Sequence, residues 1–178
     1  MRRRAAQRPP FGYIDVMARR NEISAGLLAY RRRGPRIEVL LAHPGGPFWT
    51  KRDAGAWTIP KGVVNPDALL EGALREFHEE TGFTAQGDFV SLAPVRQTSG
   101  KTVHAFSFEG DFDIAAFSSN TFEMEWPPRS GRRKAFPEID RIGWFGPEEA
   151  AEKIIAYQRP FLVELEKRLA ETPSPPPG

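Results

Sequence analysis

The chain has 178 residues, 40% of them hydrophobic, with 25 basic and 23 acidic side chains and a formal net charge of +2. That length supports one domain with a sizeable core, and no apolar run reaches the ~18 residues that a membrane span needs. The lack of cysteine excludes disulfides and cysteine-ligated zinc or iron–sulfur centres, and it suits a cytoplasmic location.

Ten of the basic residues and only two of the acids fall in residues 1–36, so the positive charge belongs to the N-terminal end and the remainder is net acidic. A basic arm offers contact with nucleic acid or anionic lipid, although a solvated tail is the plainer reading. Met1-Arg2-Arg3-Arg4 is followed by no apolar stretch, so a secretory signal is not expected. Residues 1–19 read as a disordered basic extension, with Met17 available as a shorter start. Residues 20–170 read as one domain, and 171–178 as a disordered Pro-rich tail.

Within the domain, Ser24–Arg31 and Ile37–Ala42 are apolar segments on either side of the turn signal Gly34-Pro35, and they predict a hairpin. Ala56–Pro60 predicts a short strand. Asp67 is a candidate N-cap for a helix whose apolar stripe is Leu70, Ala73, Leu74 and Phe77, and Gly82 is its expected C-terminal stop. Phe89–Arg96 and Thr102–Glu109 predict strands around Ser99-Gly100. Thr121–Trp126 and Ile139–Phe145 predict two more, with residues 126–137 as loop between them. Pro147 opens a helix at its favoured first position, and a last helix runs from about Arg159 to Ala170. Strands before and after a central helix, with helices at the end, predict a mixed α/β or α+β sandwich.

The central helix carries Glu76, Glu79 and Glu80 at positions i, i+3 and i+4, within about a third of its circumference. Three like charges on one stripe repel, and a divalent cation with oxygen ligands resolves the repulsion. The alternative is a plain acidic face in water. The preceding Pro60-Lys61-Gly62 joins a stiff residue, a cation and a residue that permits close backbone approach.

At these residues the chain resembles the Nudix hydrolases. Their signature is Gly, five residues, Glu, seven residues, Arg-Glu, an apolar residue, any residue, Glu-Glu, any residue, Gly and an apolar residue. Arg75-Glu76-Phe77-His78-Glu79-Glu80-Thr81-Gly82-Phe83 matches its second half throughout. The first half departs: four residues rather than five separate Gly62 from Asp67, and Asp67 stands in the place of Glu, with Glu71 as an alternative partner. Ile59-Pro60-Lys61-Gly62 resembles the approach to the signature in relatives that act on dinucleoside polyphosphates.

The resemblance implies a Nudix-type mixed sheet between helices and a pyrophosphohydrolase that cleaves a nucleoside diphosphate linked to another moiety. It implies Mg²⁺ or Mn²⁺ held by Glu76, Glu79, Glu80 and the Gly62 carbonyl, with Arg75 orienting a carboxylate. Pro137-Glu138 resembles a segment that supplies a further metal-binding glutamate, which makes Glu138 a candidate ligand or base, with Glu123 and Glu125 as weaker ones. The expected partner is a small nucleotide-type substrate. Its phosphates would fall to Lys61, to Lys51 and Arg52, or to Arg132, Arg133 and Lys134, read as loop residues. Its base would stack on Trp49, Phe48 or Trp126. Trp57 and Trp144 are expected in the core. His43 and His104 are candidate acid–base groups, or else structural, and His78 is expected to be exposed. The competing function is a non-catalytic nucleotide- or RNA-binding module on the same fold, but degenerate members usually lose signature glutamates, and all three helix glutamates and Arg75 are present here.

Overall fold

The computed structural model describes residues 22–172, so the basic arm, the Met17 start and the last six residues of the Pro-rich tail lie outside the described residues. Strands β1 (Ile23–Arg33) and β2 (Arg36–Pro44) form the expected hairpin, paired antiparallel from Arg33↔Arg36 to Tyr30↔Val39. Past Tyr30 the two strands separate, and residues 57–63 fill the gap. Thr58 bridges to Ala42, and β3 (Lys61–Val63) pairs with Ser24–Gly26.

The strand expected over Ala56–Pro60 is therefore absent as a strand. Trp57 bridges to Ile154 while Thr58 bridges to Ala42, so successive residues serve different neighbours. Regular pairing begins only after Pro60, which has no N–H to give.

β4 (Val90–Arg96) pairs antiparallel with β5 (Thr102–Glu109), and β5 runs parallel to β1 from Ile23 to Tyr30. β8 (Ile139–Phe145) pairs with β2, giving the order β4-β5-β1-β2-β8 with β3 beside β1. Ser24 through Ala29 are buried in succession, as a central strand covered on both faces requires.

One face of the sheet packs on helix α1 (Leu69–Thr81), where Ala25, Leu27 and Ala29 meet Ala73 and Phe77. The other face packs on α2 (Pro147–Lys153) and α3 (Arg159–Glu171), where Leu28, Leu41 and Trp57 meet Ile154, Phe161 and Leu165. The mixed sheet between helices is the expected fold class.

Two boundaries differ from expectation. Asp67 does not cap α1: its own N–H is bonded to Asn65 Oδ1 at 3.0 Å, and Ala68 takes the cap position without a side-chain bond. Asn65 thus turns the chain first, and the helix starts after it. Residues 126–137 are not all loop, because β7 (Arg133–Pro137) pairs with β6 (Thr121–Glu125) as a separate two-stranded sheet, with Arg133 and Lys134 in a strand. β7 is mostly exposed and opens with two cations, so it has no apolar alternation to reveal it.

Candidate active site

The split between β1 and β2 brings β3 alongside the last turns of α1. Leu27 N–H donates to the Pro60 carbonyl and Val64 N–H to the Ile23 carbonyl, both at 3.1 Å. Antiparallel alternation then places Gly62 in a hydrogen-bonded pair with Ala25 and turns the Lys61 amide outward. That Lys61 N–H donates to Glu80 Oε2 at 2.9 Å. The N–H and C=O of one strand residue point the same way, so the Lys61 carbonyl faces the acids, whereas the Gly62 carbonyl faces β1.

Gly62 serves by having no side chain. A Cβ there would lie 2.0 Å from Glu76 Oε2. Arg75 reaches back along the helix. Its Nη2 lies 2.9 Å from Glu76 Oε1 and donates to the Val63 carbonyl at 3.3 Å, and its Nη1 lies 3.5 Å from Glu79 Oε1. One exposed guanidinium thus holds two of the three signature acids in place.

Glu138 arrives from the far end of the chain through a run of main-chain bonds. Asn120 N–H donates to the Glu79 carbonyl at 3.0 Å, Glu138 N–H to the Asn120 carbonyl at 2.8 Å, and Gly45 N–H to the Glu138 carbonyl at 2.9 Å. The helix end enters this run freely because Gly82, at φ 79°, stops α1 in the left-handed region.

The electrostatics show how close these acids are. Burial pushes the Glu80 carboxyl up to about 8, against the pull of the Lys61 N–H and ammonium and with a further push from Glu76 and Glu138. Burial also raises Glu76, with Arg75 lowering it and Glu79 and Glu138 raising it again. Glu138 is raised by burial first and by Glu79 second. Acids crowded in this way keep their protons to higher pH, and a cation bound among them would favour their anions.

The donor set is hard oxygen throughout, which fits Mg²⁺ or Mn²⁺ and not a thiophilic metal. Among the described residues no three His, Cys, Asp or Glu side chains lie together as a group that could hold a metal ion.

Lys61, Glu80 and Glu138 line a cleft of about 600 Å³, and so do Trp49, Gln97, Ser99 and Tyr157. Sequence reasoning named Trp49 but missed the last three, which are polar or single aromatic residues without local pattern. Lys51, Arg52, Arg132 and Arg133 are exposed and outside the cleft lining. The Arg52 guanidinium lies 5.3 Å from the Trp49 ring centre, and Arg133 lies 3.3 Å from Glu123. Glu125 accepts the Gly131 N–H within the β6–β7 hairpin. Phe48 and Trp126 meet edge to face at 5.6 Å, and Lys134 lies over Phe136.

His43 is fully buried between Asp140 Oδ1 at 2.7 Å and the Arg52 carbonyl at 2.6 Å, a structural position. His104 is half-buried in β5, and His78 is exposed with its ring facing the Phe83 carbonyl. Trp57 is core; Trp144 is only half-buried, under Arg31 at 4.4 Å.

The family model described as NUDIX domain matches residues 20–165. No curated protein matches the chain. Among solved structures, a C. elegans Ap4A hydrolase binary complex is similar over 84% of this chain and 99% of its own, at 22% identity and a TM-score of 0.60. The NUDIX domain of Shewanella oneidensis NrtR complexed with ADP ribose is similar over 84% and 88%, at 16% identity and a TM-score of 0.58. The MutT protein from Methanosarcina mazei Go1 is similar over 84% and 95%, at 26% identity and a TM-score of 0.52. With the helix glutamates, their arginine and the glycine stop all in place, the chain belongs to the NUDIX family of hydrolases.

Proposed function

We propose that the protein is a divalent-metal-dependent pyrophosphohydrolase that cleaves a nucleoside diphosphate linked to another moiety, with dinucleoside polyphosphates and NTP-like compounds favoured. The observation that carries this reading is the meeting of Glu80, Glu138 and Lys61 in one cleft, with Glu76 and Glu79 beside them. Mg²⁺ or Mn²⁺ held by Glu76, Glu79, Glu80 and Glu138 would neutralise phosphate charge and lower the pKa of an attacking water.

The chain's own residues divide the remaining work. Arg75 fixes Glu76 and Glu79 so that their oxygens are presented without a search over rotamers. Gly62 leaves room for the Glu76 carboxylate against β3. Lys61 binds a substrate phosphate with its ammonium while its main-chain N–H holds Glu80. Glu138 takes a proton from water or completes the ligand set. Trp49 lines the cleft and would stack on the base, and Lys51, Arg52, Arg132 and Arg133, exposed outside the lining, would add positive field for a longer polyphosphate.

The similar structures support a nucleotide-type ligand, since one is an Ap4A hydrolase and another holds ADP ribose. Ap4A and ADP ribose both contain phosphoanhydride bonds. The reading is tested by a panel of dinucleoside polyphosphates, NTPs, nucleotide sugars and 5′-triphosphorylated RNA with Mg²⁺ and Mn²⁺, scored by product identity. Metal-dependent release of phosphate, pyrophosphate or a nucleoside monophosphate from at least one is expected. Hydrolysis of none overturns it.

A further inference from the structure

The cleft contains a hydrogen-bond chain separate from the acids. Gln158 is fully buried, and its Oε1 accepts the Ile59 N–H at 2.9 Å. A main-chain N–H only donates, so this bond fixes the amide and turns the Gln158 Nε2 to the Tyr157 hydroxyl at 3.1 Å. The same hydroxyl lies 2.5 Å from one end of the Gln97 amide, and Ser99 Oγ lies 3.1 Å from the other end.

A glutamine amide has two donor and two acceptor positions. One bond at each end leaves Gln97 with one N–H and one oxygen lone pair, and this count holds for either orientation of the amide. Gln97, Ser99 and Tyr157 line the same cleft as Lys61 and Glu80, with Trp49 beside them. Ile59, the anchor of the chain, is two residues before Lys61 on the same segment.

We infer that the substrate carries a nucleobase in this cleft and that Gln97 reads its edge. An unused donor and an unused acceptor on one amide, bonded at both ends, complement a base edge that offers an acceptor next to a donor. A bare polyphosphate offers acceptors alone and leaves the amide oxygen unmatched, whereas a base edge fills both positions at once. Trp49, on the same lining, is the aromatic side chain on which a base would stack. Gln97 is the specificity-determining residue. Tyr157 and Gln158 are positioning residues, because they hold the amide and leave the base to it.

This inference rests on the nucleotide reading of the site, but base recognition needs no metal and can be measured without turnover. Calorimetric titration of the full chain in EDTA with AMP, GMP, CMP, UMP and ribose 5-phosphate is the test. One monophosphate should bind about tenfold or more tightly than another. In Gln97→Met that spread should shrink to about threefold or less, with ribose 5-phosphate affinity unchanged. Tyr157→Phe keeps the ring and removes the hydroxyl, so it should narrow the spread and raise KM for the preferred nucleotide without lowering kcat.

Equal binding of all four monophosphates by the wild type, or a Gln97→Met spread as wide as wild type, overturns the inference. So does an equal loss for ribose 5-phosphate. A chain that reads bases in this way yet hydrolyses no nucleotide refutes the pyrophosphohydrolase reading alone. One that hydrolyses nucleotides but binds every base alike refutes the Gln97 assignment alone.

Discussion

The Lys61 main-chain N–H donates to the Glu80 carboxylate over 2.9 Å, which joins β3 to the last turn of α1 at an acid whose burial raises its pKa to about 8. The bond comes from the backbone, so the side chains on either side of it can be altered separately.

Glu80 ionises near 4.5 when unperturbed and at about 8 in the metal-free fold, so the folded chain holds this proton more tightly than the unfolded one. The stability it confers is complete below the unperturbed value and is lost as pH rises through the folded value. Glu80→Gln cannot ionise, and its side-chain oxygen still accepts the Lys61 N–H. In EDTA, the wild-type Tm should therefore fall relative to Glu80→Gln by about 3 °C or more between about pH 5 and about pH 8. A difference that does not change with pH would remove Glu80 as the group that holds the proton.

The same variant tests the chemistry. Without a carboxylate at position 80 the donor set loses an anionic ligand, and Mg²⁺-dependent release of phosphate or nucleoside monophosphate should fall on the order of 100-fold or more. Circular dichroism should stay that of the wild type. Full activity in Glu80→Gln would sink the assignment of the metal to this helix.

Gly62→Ala tests the closeness of β3 to α1. The new methyl would stand 2.0 Å from Glu76 Oε2 and 2.2 Å from its carboxyl carbon, so Glu76 must move away. Activity should drop at least tenfold, with a stability loss of about 1–3 kcal/mol from overpacking. An additional Glu76→Ala change should restore the stability and leave the activity low. If Gly62→Ala turns over as the wild type does, the position of Glu76 has no part in catalysis.

The helix was legible because its signals are local. The stripe Leu70, Ala73, Leu74 and Phe77 repeats at the helical period, and Gly82 ends it in the left-handed conformation. The β1–β2 hairpin was legible for a like reason, an apolar pair around Gly34-Pro35. β3 was not, since three residues show no period and their pairing depends on β1 and β2 separating past Tyr30. The meeting of Gln97 with Tyr157, sixty positions apart, has no sequence signal at all. Glu138 was reached through a family likeness, while the bonds that place it run through Glu79, Asn120 and Gly45 in three separate segments.

Lys61→Ala separates the side chain of that residue from its main chain. The bond to Glu80 survives because the amide makes it, while the ammonium that favours the Glu80 anion is gone. KM for a polyphosphate substrate should rise about tenfold, the cost of one lost charge-assisted phosphate contact. Binding of a nucleoside without phosphate should not change. An unaltered KM and kcat would take Lys61 out of the phosphate site.

Glu138→Gln decides whether the acid beyond the helix takes part in the reaction. The Glu138 main chain is held on both sides, by the Asn120 carbonyl and the Gly45 N–H, so the substitution alters the carboxyl and leaves its position intact. Burial and the Glu79 charge both raise the Glu138 carboxyl, so its anion is lost at higher pH than that of an ordinary glutamate. If that anion accepts a proton from water or binds the metal, the wild-type rate falls as pH drops through the raised value. Glu138→Gln should then show kcat lower by about 10- to 100-fold, with this acid limb gone from its pH profile. Retention of wild-type kcat at every pH would leave Glu138 as a neighbour of the site and place the base among Glu76, Glu79 and Glu80.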